Sequence, residues 1–353
     1  MGRTYREAGV DIVANDEFVD AIQAAVESTH GPDVIPVPGG FAGEIALNHS
    51  HTMFARHYRD PVLAACTDGV GTKLKIAFDM NKHDTVGQDL VAMSVNDLIT
   101  NGSRPLLFLD YIAFSSVPNP VQIEAVKGIA KACRECGCAL LGGERAELPG
   151  FYSRGEYDLA GFAVGVVERS KRVDGRKVRP GDTVIGIASS GLHSNGYSLA
   201  RRVLLEDAKL KLDQHIPELG CTLGEELLRP TILYVKPILS LLKYYRRKAG
   251  VKAIAHITGA GIPGNVPRVI PKNCSARISK SAWPKPPIFD LIQRLGEVSE
   301  AEMYDVFNMG LGMIIVVPPT YAQSIIHQLE HEGQKAYIVG RIKRGPNRVD
   351  LVD

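Results

Sequence analysis

The sequence predicts an α/β protein of two domains, with α+β-type sheets and packed helices, and three observations carry that prediction. Its 353 residues, 45% of them hydrophobic, suffice for two cores of ordinary size. Up to Glu168, short apolar runs of strand character alternate with helical periodicity. From Glu168 through Asp182 the chain turns charged and carries Gly175, Pro180 and Gly181, the composition of a hinge or turn-rich connector. A boundary near residue 172 divides the chain into residues 1–172 and 173–353.

The first distinctive segment, Pro38-Gly39-Gly40-Phe41-Ala42-Gly43, reads either as a mobile loop that closes over a nucleotide or as a flexible connector. Val62 to Cys66 form a short buried strand that runs into Thr67-Asp68-Gly69-Val70-Gly71-Thr72-Lys73. Ligands gather at such strand ends. Gly69 and Gly71 let backbone approach a ligand, Asp68 offers a hard oxygen to Mg²⁺, and Lys73 offers a compact charge to phosphate. The G-x-x-x-x-G-K-[ST] order of a P-loop is absent, and a tight structural turn is the alternative reading.

Asp84 to Gly102 reads as one helix, with Asp84 as N-cap, Gly102 as stop and Pro105 beyond. Val86, Leu90 and Met93 form an apolar stripe on which Asp97 also falls, beside a polar strip of Asp89, Asn96 and Thr100. Val91, Val95, Leu98 and Ile99 on the other side imply a helix buried on more than one face. A buried carboxylate needs a cation. With a second Asp nearby and no basic residue in the same helix, the expectation is a metal ion rather than a salt bridge, against a surface Asp on a misjudged helix phase. Ala139 to Leu141 then lead into Gly142-Gly143-Glu144-Arg145-Ala146-Glu147, which sets Glu144 at another strand end. The candidate metal ligands are Asp68, Asp89, Asp97 and Glu144, expected to converge on Mg²⁺. The candidate nucleotide contacts are Gly39, Gly40, Gly43, Thr67, Asp68, Gly69, Gly71, Thr72 and Asn96.

The second half opens with a buried strand at Thr183 to Ala188, followed by Ser189-Ser190-Gly191 and a helix that starts at Ser194-Asn195-Gly196 and runs to about Asp207. Backbone N–H groups at that start suit a ribose phosphate, and ordinary capping is the alternative. Gly259-x-Gly261-x-x-Gly264 matches a dinucleotide-binding expression, but Pro263, Pro267 and Pro271 oppose the long helix such a site requires. His256-Ile257-Thr258-Gly259 reads instead as a substrate-facing turn, or as a turn with a buried, hydrogen-bonded histidine.

Charge and cysteine usage exclude other classes. With 41 basic and 39 acidic residues the net charge is +2, so nucleic acid is not expected as the main partner. The runs Gly161 to Val167 and Met313 to Val317 are too short to span a bilayer, and no membrane association is expected. Cys133, Cys136 and Cys138 lack a second pair or a histidine at zinc spacing, and His49, His51 and His57 fit no metal motif. A reduced cluster in a cytoplasmic protein is expected.

Seven ordered motifs carry a family resemblance. They are Tyr5 to Asp11 (Y-R-E-A-G-V-D), the T-D-G-V-G-T-K loop, Gln88 to Asp97 (Q-D-L-V-A-M-S-V-N-D), Gly142 to Gly150 (G-G-E-R-A-E-L-P-G), Ser189 to Leu199 (S-S-G-L-H-S-N-G-Y-S-L), Ala255 to Gly261 (A-H-I-T-G-A-G) and Phe307 to Met313 (F-N-M-G-L-G-M). In these the chain resembles the phosphoribosylformylglycinamidine cyclo-ligases, the aminoimidazole ribonucleotide synthetases of purine biosynthesis. The first four are shared with a wider ATP-using superfamily that includes thiamine-monophosphate kinase and selenophosphate synthetase, and the last three narrow the reading.

The resemblance implies two α/β domains, a homodimer paired through N-terminal sheets, ATP and Mg²⁺ as cofactors, and formylglycinamidine ribonucleotide as substrate. Candidate substrate contacts are Ser189, Ser190, Gly191, Ser194, Asn195, Gly196, Thr258 and Gly259. Lys73 would orient the phosphoryl group, with His193, then His256, as candidate general base. Three positions depart from the family pattern: Ala42 and Ala260 stand for glycines, and Arg145 replaces a small hydroxyl residue, where it would either compete with a metal or contact phosphate. A kinase-type activity on another acceptor and a non-catalytic nucleotide-holding module are the other readings.

Overall fold

A computed structural model describes residues 12–37, 42–47, 58–245 and 250–353. The Tyr5 to Asp11 motif, Gly39 and Gly40 of the glycine loop, and His49, His51 and His57 lie outside the described residues. The chain separates into two compact units, one of Met1–Leu98 with Ser103–Ser170 and the other of Ile99–Gly102 with Lys171–Asp353.

The first unit holds helices α1 (Ile12–Glu27), α2 (Leu74–Met80), α3 (Val86–Leu98) and α4 (Asn119–Cys136). Its sheet has strands β1 (Pro61–Gly69), β2 (Arg104–Ser115), β3 (Ala139–Glu147) and β4 (Glu156–Glu168), in the order β1-β4-β2-β3. β4 pairs antiparallel with β1 and β2, whereas β2 and β3 run parallel and are joined by α4, as a parallel pair requires a crossover. α3 packs on β1 and β4 and against α4. It approaches α4 closely because Gly87 and Gly128 face each other; a Cβ at either would collide with the opposite backbone. The opposite sheet face leaves Leu63, Leu109 and Phe162 exposed at 59%, 39% and 43%.

The second unit contains a mixed sheet of β5 (Thr183–Ala188), β6 (Ala253–His256), β7 (Cys274–Ser279), β8 (Leu311–Val317), β9 (Ala336–Arg344) and β10 (Val349–Val352), in the order β6-β8-β5-β9-β7-β10. Only β7 and β10 pair in parallel. β5 is central, and its first five residues are buried. α5 (Tyr197–Arg201) continues as a wider π-helical turn over Arg202–Asp207, the end the sequence predicts. The segment expected as one helix to Gly102 is α-helical only to Leu98, after which a tighter 3₁₀ turn covers Ile99–Asn101. No described helix is long and apolar enough to cross a membrane, and the six cysteines are free thiols.

Candidate active site

In the first unit the T-D-G-V-G-T-K loop closes the end of β1. Asp68 Oδ1 accepts the Gly69 N–H at 2.8 Å, and Gly71, at φ 72°, occupies the left-handed region that favours glycine. Thr67, Gly71 and Thr72 are exposed and Asp68 is half-buried. Lys73 behaves differently. Its side chain is fully buried, and its Nζ donates to Asp89 Oδ1 at 2.9 Å and lies 2.8 Å from Oδ2. Burial pulls the Lys73 pKa down and the Asp89 charge opposes that pull.

This pair corrects two expectations. The buried carboxylate of α3 is Asp89, neutralised by a lysine from outside the helix, so it needs no metal. Lys73 is spent on that pair and is not an exposed phosphate handle. Asp97 is corrected as well: Val86, Leu90 and Met93 are buried as their phase predicts, but Asp97, in the last turn, is exposed and so avoids the cost of desolvating a carboxylate. Asn96 beside it is buried.

Nor do the four carboxylates converge. Sheet register sets Asp68, Gly161, Asp110 and Gly143 in one row across β1, β4, β2 and β3. Glu144 stands in the next row, opposite Tyr111, and strand alternation turns it to the other face. Among the described residues, no group of three or more His, Cys, Asp or Glu side chains is placed to hold a metal ion. Asp68 and Asp97 do share a neighbourhood. Burial first, then the charges of Asp97 and Asp68, push the Cys66 thiol up to about 12. The Cys66 Sγ donates to the Ser94 carbonyl of α3 at 3.0 Å. Two oxygen ligands of this kind fit Mg²⁺, which takes one or two carboxylates and completes its shell with water and phosphate.

Asp110 is a carboxylate that the motif reading missed. It is buried over Gly143, where a Cβ would collide with its Oδ1, and burial lifts it to about 7. Its signal was a lone Asp in the otherwise apolar run Pro105 to Phe114. Arg145 neither competes for metal nor offers a phosphate contact. It points to the helix face of β3, where Nε donates to Gln122 Oε1 at 2.9 Å, Nη1 to Asn15 Oδ1 at 3.2 Å and Nη2 to Asn119 Oδ1 at 3.0 Å. The rings of Phe18 and Phe114 lie 5.0 and 4.4 Å from its guanidinium carbon, so this arginine pins α1 to α4 and β3.

In the second unit the S-S-G-L-H-S-N-G segment is folded by its own polar groups. Ser189 Oγ donates to the Gly191 carbonyl at 2.9 Å and Ser190 Oγ to the Pro230 carbonyl at 2.7 Å. The Ser190 N–H donates to His193 Nε2 at 3.2 Å, which makes Nε2 the unprotonated nitrogen of this buried imidazole. With that lone pair engaged and its backbone at φ 61°, His193, the expected base, also braces the turn. Asn195 Oδ1 accepts the Gly259 N–H at 3.0 Å, which joins this segment to the H-I-T-G turn. Asn265, unmarked in the sequence, ties that turn down by donating to the carbonyls of Gly259 at 3.0 Å and Gly261 at 2.8 Å. His256 is buried at the end of β6. The helix after the G-x-G-x-x-G decoy spans only Gly261–Asn265, too short for a dinucleotide site. Ala260, which replaces glycine, sits at φ 71°.

Residues 54–167 match the N-terminal domain of the AIR synthase related protein family, and residues 179–352 match its C-terminal domain. A curated protein of Myxococcus xanthus, named phosphoribosylformylglycinamidine cyclo-ligase, is 53% identical over 352 residues, covering 100% of this chain and 99% of its own. A protein of the same name from Thermodesulfovibrio yellowstonii is 51% identical, with 98% of each chain covered. Among solved structures, thiamine-monophosphate kinase from Stenotrophomonas maltophilia superposes with a TM-score of 0.66 at 18% identity, covering 94% of this chain and 95% of that one. The hydrogenase maturation protein HypE in complex with ATP gives 0.62 at 14% identity, covering 96% and 91%. At such identities the likeness is one of fold.

Proposed function

The chain belongs to the phosphoribosylformylglycinamidine cyclo-ligase family, and from that premise we propose how its residues close an imidazole ring. The reaction is the ATP-dependent cyclisation of formylglycinamidine ribonucleotide to 5-aminoimidazole ribonucleotide, with release of ADP and phosphate. The observation that carries this reading is identity above one half along essentially the whole chain to a relative of that name.

The formyl amide oxygen attacks the γ-phosphorus of ATP and displaces ADP, which turns a poor leaving oxygen into a phosphate ester. The amidine nitrogen then adds to the same carbon, phosphate departs with the C–O bond electrons, and the nitrogen gives up its proton. Thr67, Gly71 and Thr72 hold the nucleotide phosphates by backbone N–H groups, Gly69 lets the backbone approach them, and the buried Lys73–Asp89 pair keeps that loop in place. Asp68 and Asp97 hold Mg²⁺, which when bound neutralises phosphate charge. Gly191, Ser194, Asn195 and Gly196, with Thr258 and Gly259, grip the substrate, and holding both reacting ends supplies much of the ring-closure rate as orientation. With His193 occupied as a brace, His256 is the imidazole proposed to accept the proton.

We assign a homodimer formed through the exposed sheet face of the first unit, supported by Leu63, Leu109 and Phe162 standing in the open on one face. Phe162→Glu would then yield a monomer by light scattering, and an unchanged mass would remove that face as the interface. Six free thiols and the absence of a disulfide framework support a cytoplasmic setting.

The test is incubation of the purified chain with formylglycinamidine ribonucleotide and Mg·ATP, with ADP and aminoimidazole ribonucleotide measured together. Equimolar formation of both is expected. ADP without the imidazole would mean a different acceptor chemistry, and neither product from folded, nucleotide-binding protein would end the cyclo-ligase reading.

A further inference from the structure

The F-N-M-G-L-G-M segment fits piece by piece against S-S-G-L-H-S-N-G. The Phe307 ring lies where a Cβ on Gly196 would be, and the Tyr234 hydroxyl and the His193 ring together occupy the space left by Gly312. The Gly310 carbonyl accepts the Ser189 N–H at 2.9 Å. Asn308, 2% exposed, reaches the same segment through its side chain: its Nδ2 donates to the Gly191 carbonyl at 2.9 Å, its Oδ1 accepts the Gly310 N–H at 2.8 Å, and Oδ1 lies 3.0 Å from Ser189 Oγ, whose single proton it shares with the Gly191 carbonyl.

The turn that holds Asn308 is itself constrained. Met309 is at φ 50° and Gly310 at φ 97°, Trp283 Nε1 donates to the Met309 carbonyl at 2.9 Å, and a Cβ at Gly310 would press into Pro286 Cδ. Non-glycine residues keep left-handed backbone only where their surroundings fix them, and such strain gathers at functional turns. The side-chain polar groups of Asn308 are directed to Ser189 and Gly191 and to Gly310 of its own turn, so the side chain couples the strained turn to the Ser189–Gly191 segment.

We propose that Asn308 is a positioning residue for substrate binding: it sets the orientation in which the Ser189–Gly191 turn meets formylglycinamidine ribonucleotide, without touching the substrate itself. This rests on the assignment of that turn to the substrate. Asn308→Asp keeps the size and both acceptor contacts but faces the Gly191 carbonyl with an oxygen in place of a donor.

Steady-state kinetics of Asn308→Asp and Asn308→Ala test the proposal, with Asn347→Ala as a structural control. Asn347 also ties backbone through its amide, donating to the carbonyls of Pro267 and Ile270 at 3.0 Å each, at some distance in sequence from the motifs. The expected result is a rise of about tenfold or more in KM for formylglycinamidine ribonucleotide in both Asn308 variants, with KM for ATP unchanged. Asn347→Ala would lower thermal stability and leave both KM values alone. If Asn195→Ala raises the substrate KM while neither Asn308 variant does, the positioning role is wrong and the substrate turn stands. If Asn195→Ala and the Asn308 variants all leave it unchanged, the substrate assignment falls and this inference with it. If the Asn308 variants raise both KM values together, Asn308 is a fold element only. Should Asn308→Ala fail to fold, the near-isosteric Asn308→Asp decides alone.

Discussion

The Lys73 ammonium lies 2.9 and 2.8 Å from the two carboxylate oxygens of Asp89, and neither side chain has exposed surface. Desolvating two charges costs several kcal/mol per ion, and their mutual attraction offsets this only while both are present. Asp89→Ala would therefore destabilise the protein by about 3–5 kcal/mol in urea unfolding, since it strands a buried ammonium. Lys73→Met combined with Asp89→Val removes both charges and would recover most of that loss. The double variant also separates roles. If Lys73 only braces the loop, ATP turnover survives in it; if Lys73 contacts phosphate, turnover is lost from a stable protein.

Ala260 holds a left-handed backbone that glycine adopts at no steric cost, and it caps the five-residue helix that begins at Gly261. Relief of that conformation makes Ala260→Gly stabilising by about 0.5–1 kcal/mol despite the greater chain entropy of glycine. A higher thermal midpoint in calorimetry is the expected outcome, and a lower one would mean that the Ala260 methyl contributes packing that outweighs the strain.

What the sequence disclosed and what it hid divide along a physical line. Periodicity located α3, β5 and the limit at Asp207, because apolar phase is a local property of the chain. It misjudged Asp97, because phase tells which side a residue is on but not whether a neighbour covers the last turn. It missed the Lys73–Asp89 pair, whose partners are 16 positions apart on different elements. The separation of Asp68 from Glu144 depended on sheet register, and the role of Asn308 on a contact 117 residues away in the chain. Motifs marked the loops that matter, yet single residues such as Asp110 and Asn265 acquire their significance only from tertiary neighbours.

Asp110 makes stability depend on pH. Its carboxyl is raised from an ordinary 3.8 to about 7 by burial, so between those values the folded protein keeps a proton that the unfolded chain has released. The shift costs nothing below pH 4, where folded and unfolded chains both carry the proton; stability then falls as pH rises towards 7, and the penalty above that is on the order of 4 kcal/mol. Asp110→Asn would abolish this slope in protein freed of divalent ions, and would be the more stable form at pH 8. Parallel stability curves for the two proteins from pH 4 to 8 would show that Asp110 does not titrate in this window.

Asp97 and Asp68 both raise the pKa of Cys66, and that shared influence supplies a test of the metal proposal that does not rely on turnover. A divalent cation held by the two carboxylates would cancel the charges that disfavour the thiolate. Mg²⁺ added to the protein without nucleotide should then accelerate alkylation of Cys66, and Asp97→Asn should accelerate it without Mg²⁺ and blunt the response to the ion. Because Asp97 is exposed, the same substitution should change stability by less than about 0.5 kcal/mol while greatly lowering Mg·ATP-dependent turnover. Glu144→Gln is the comparison that matters. On the other sheet face of its own chain, it should leave the Mg²⁺ effect on Cys66 intact. A Cys66 that ignores Mg²⁺ in the parent protein would remove Asp68 and Asp97 as a metal pair.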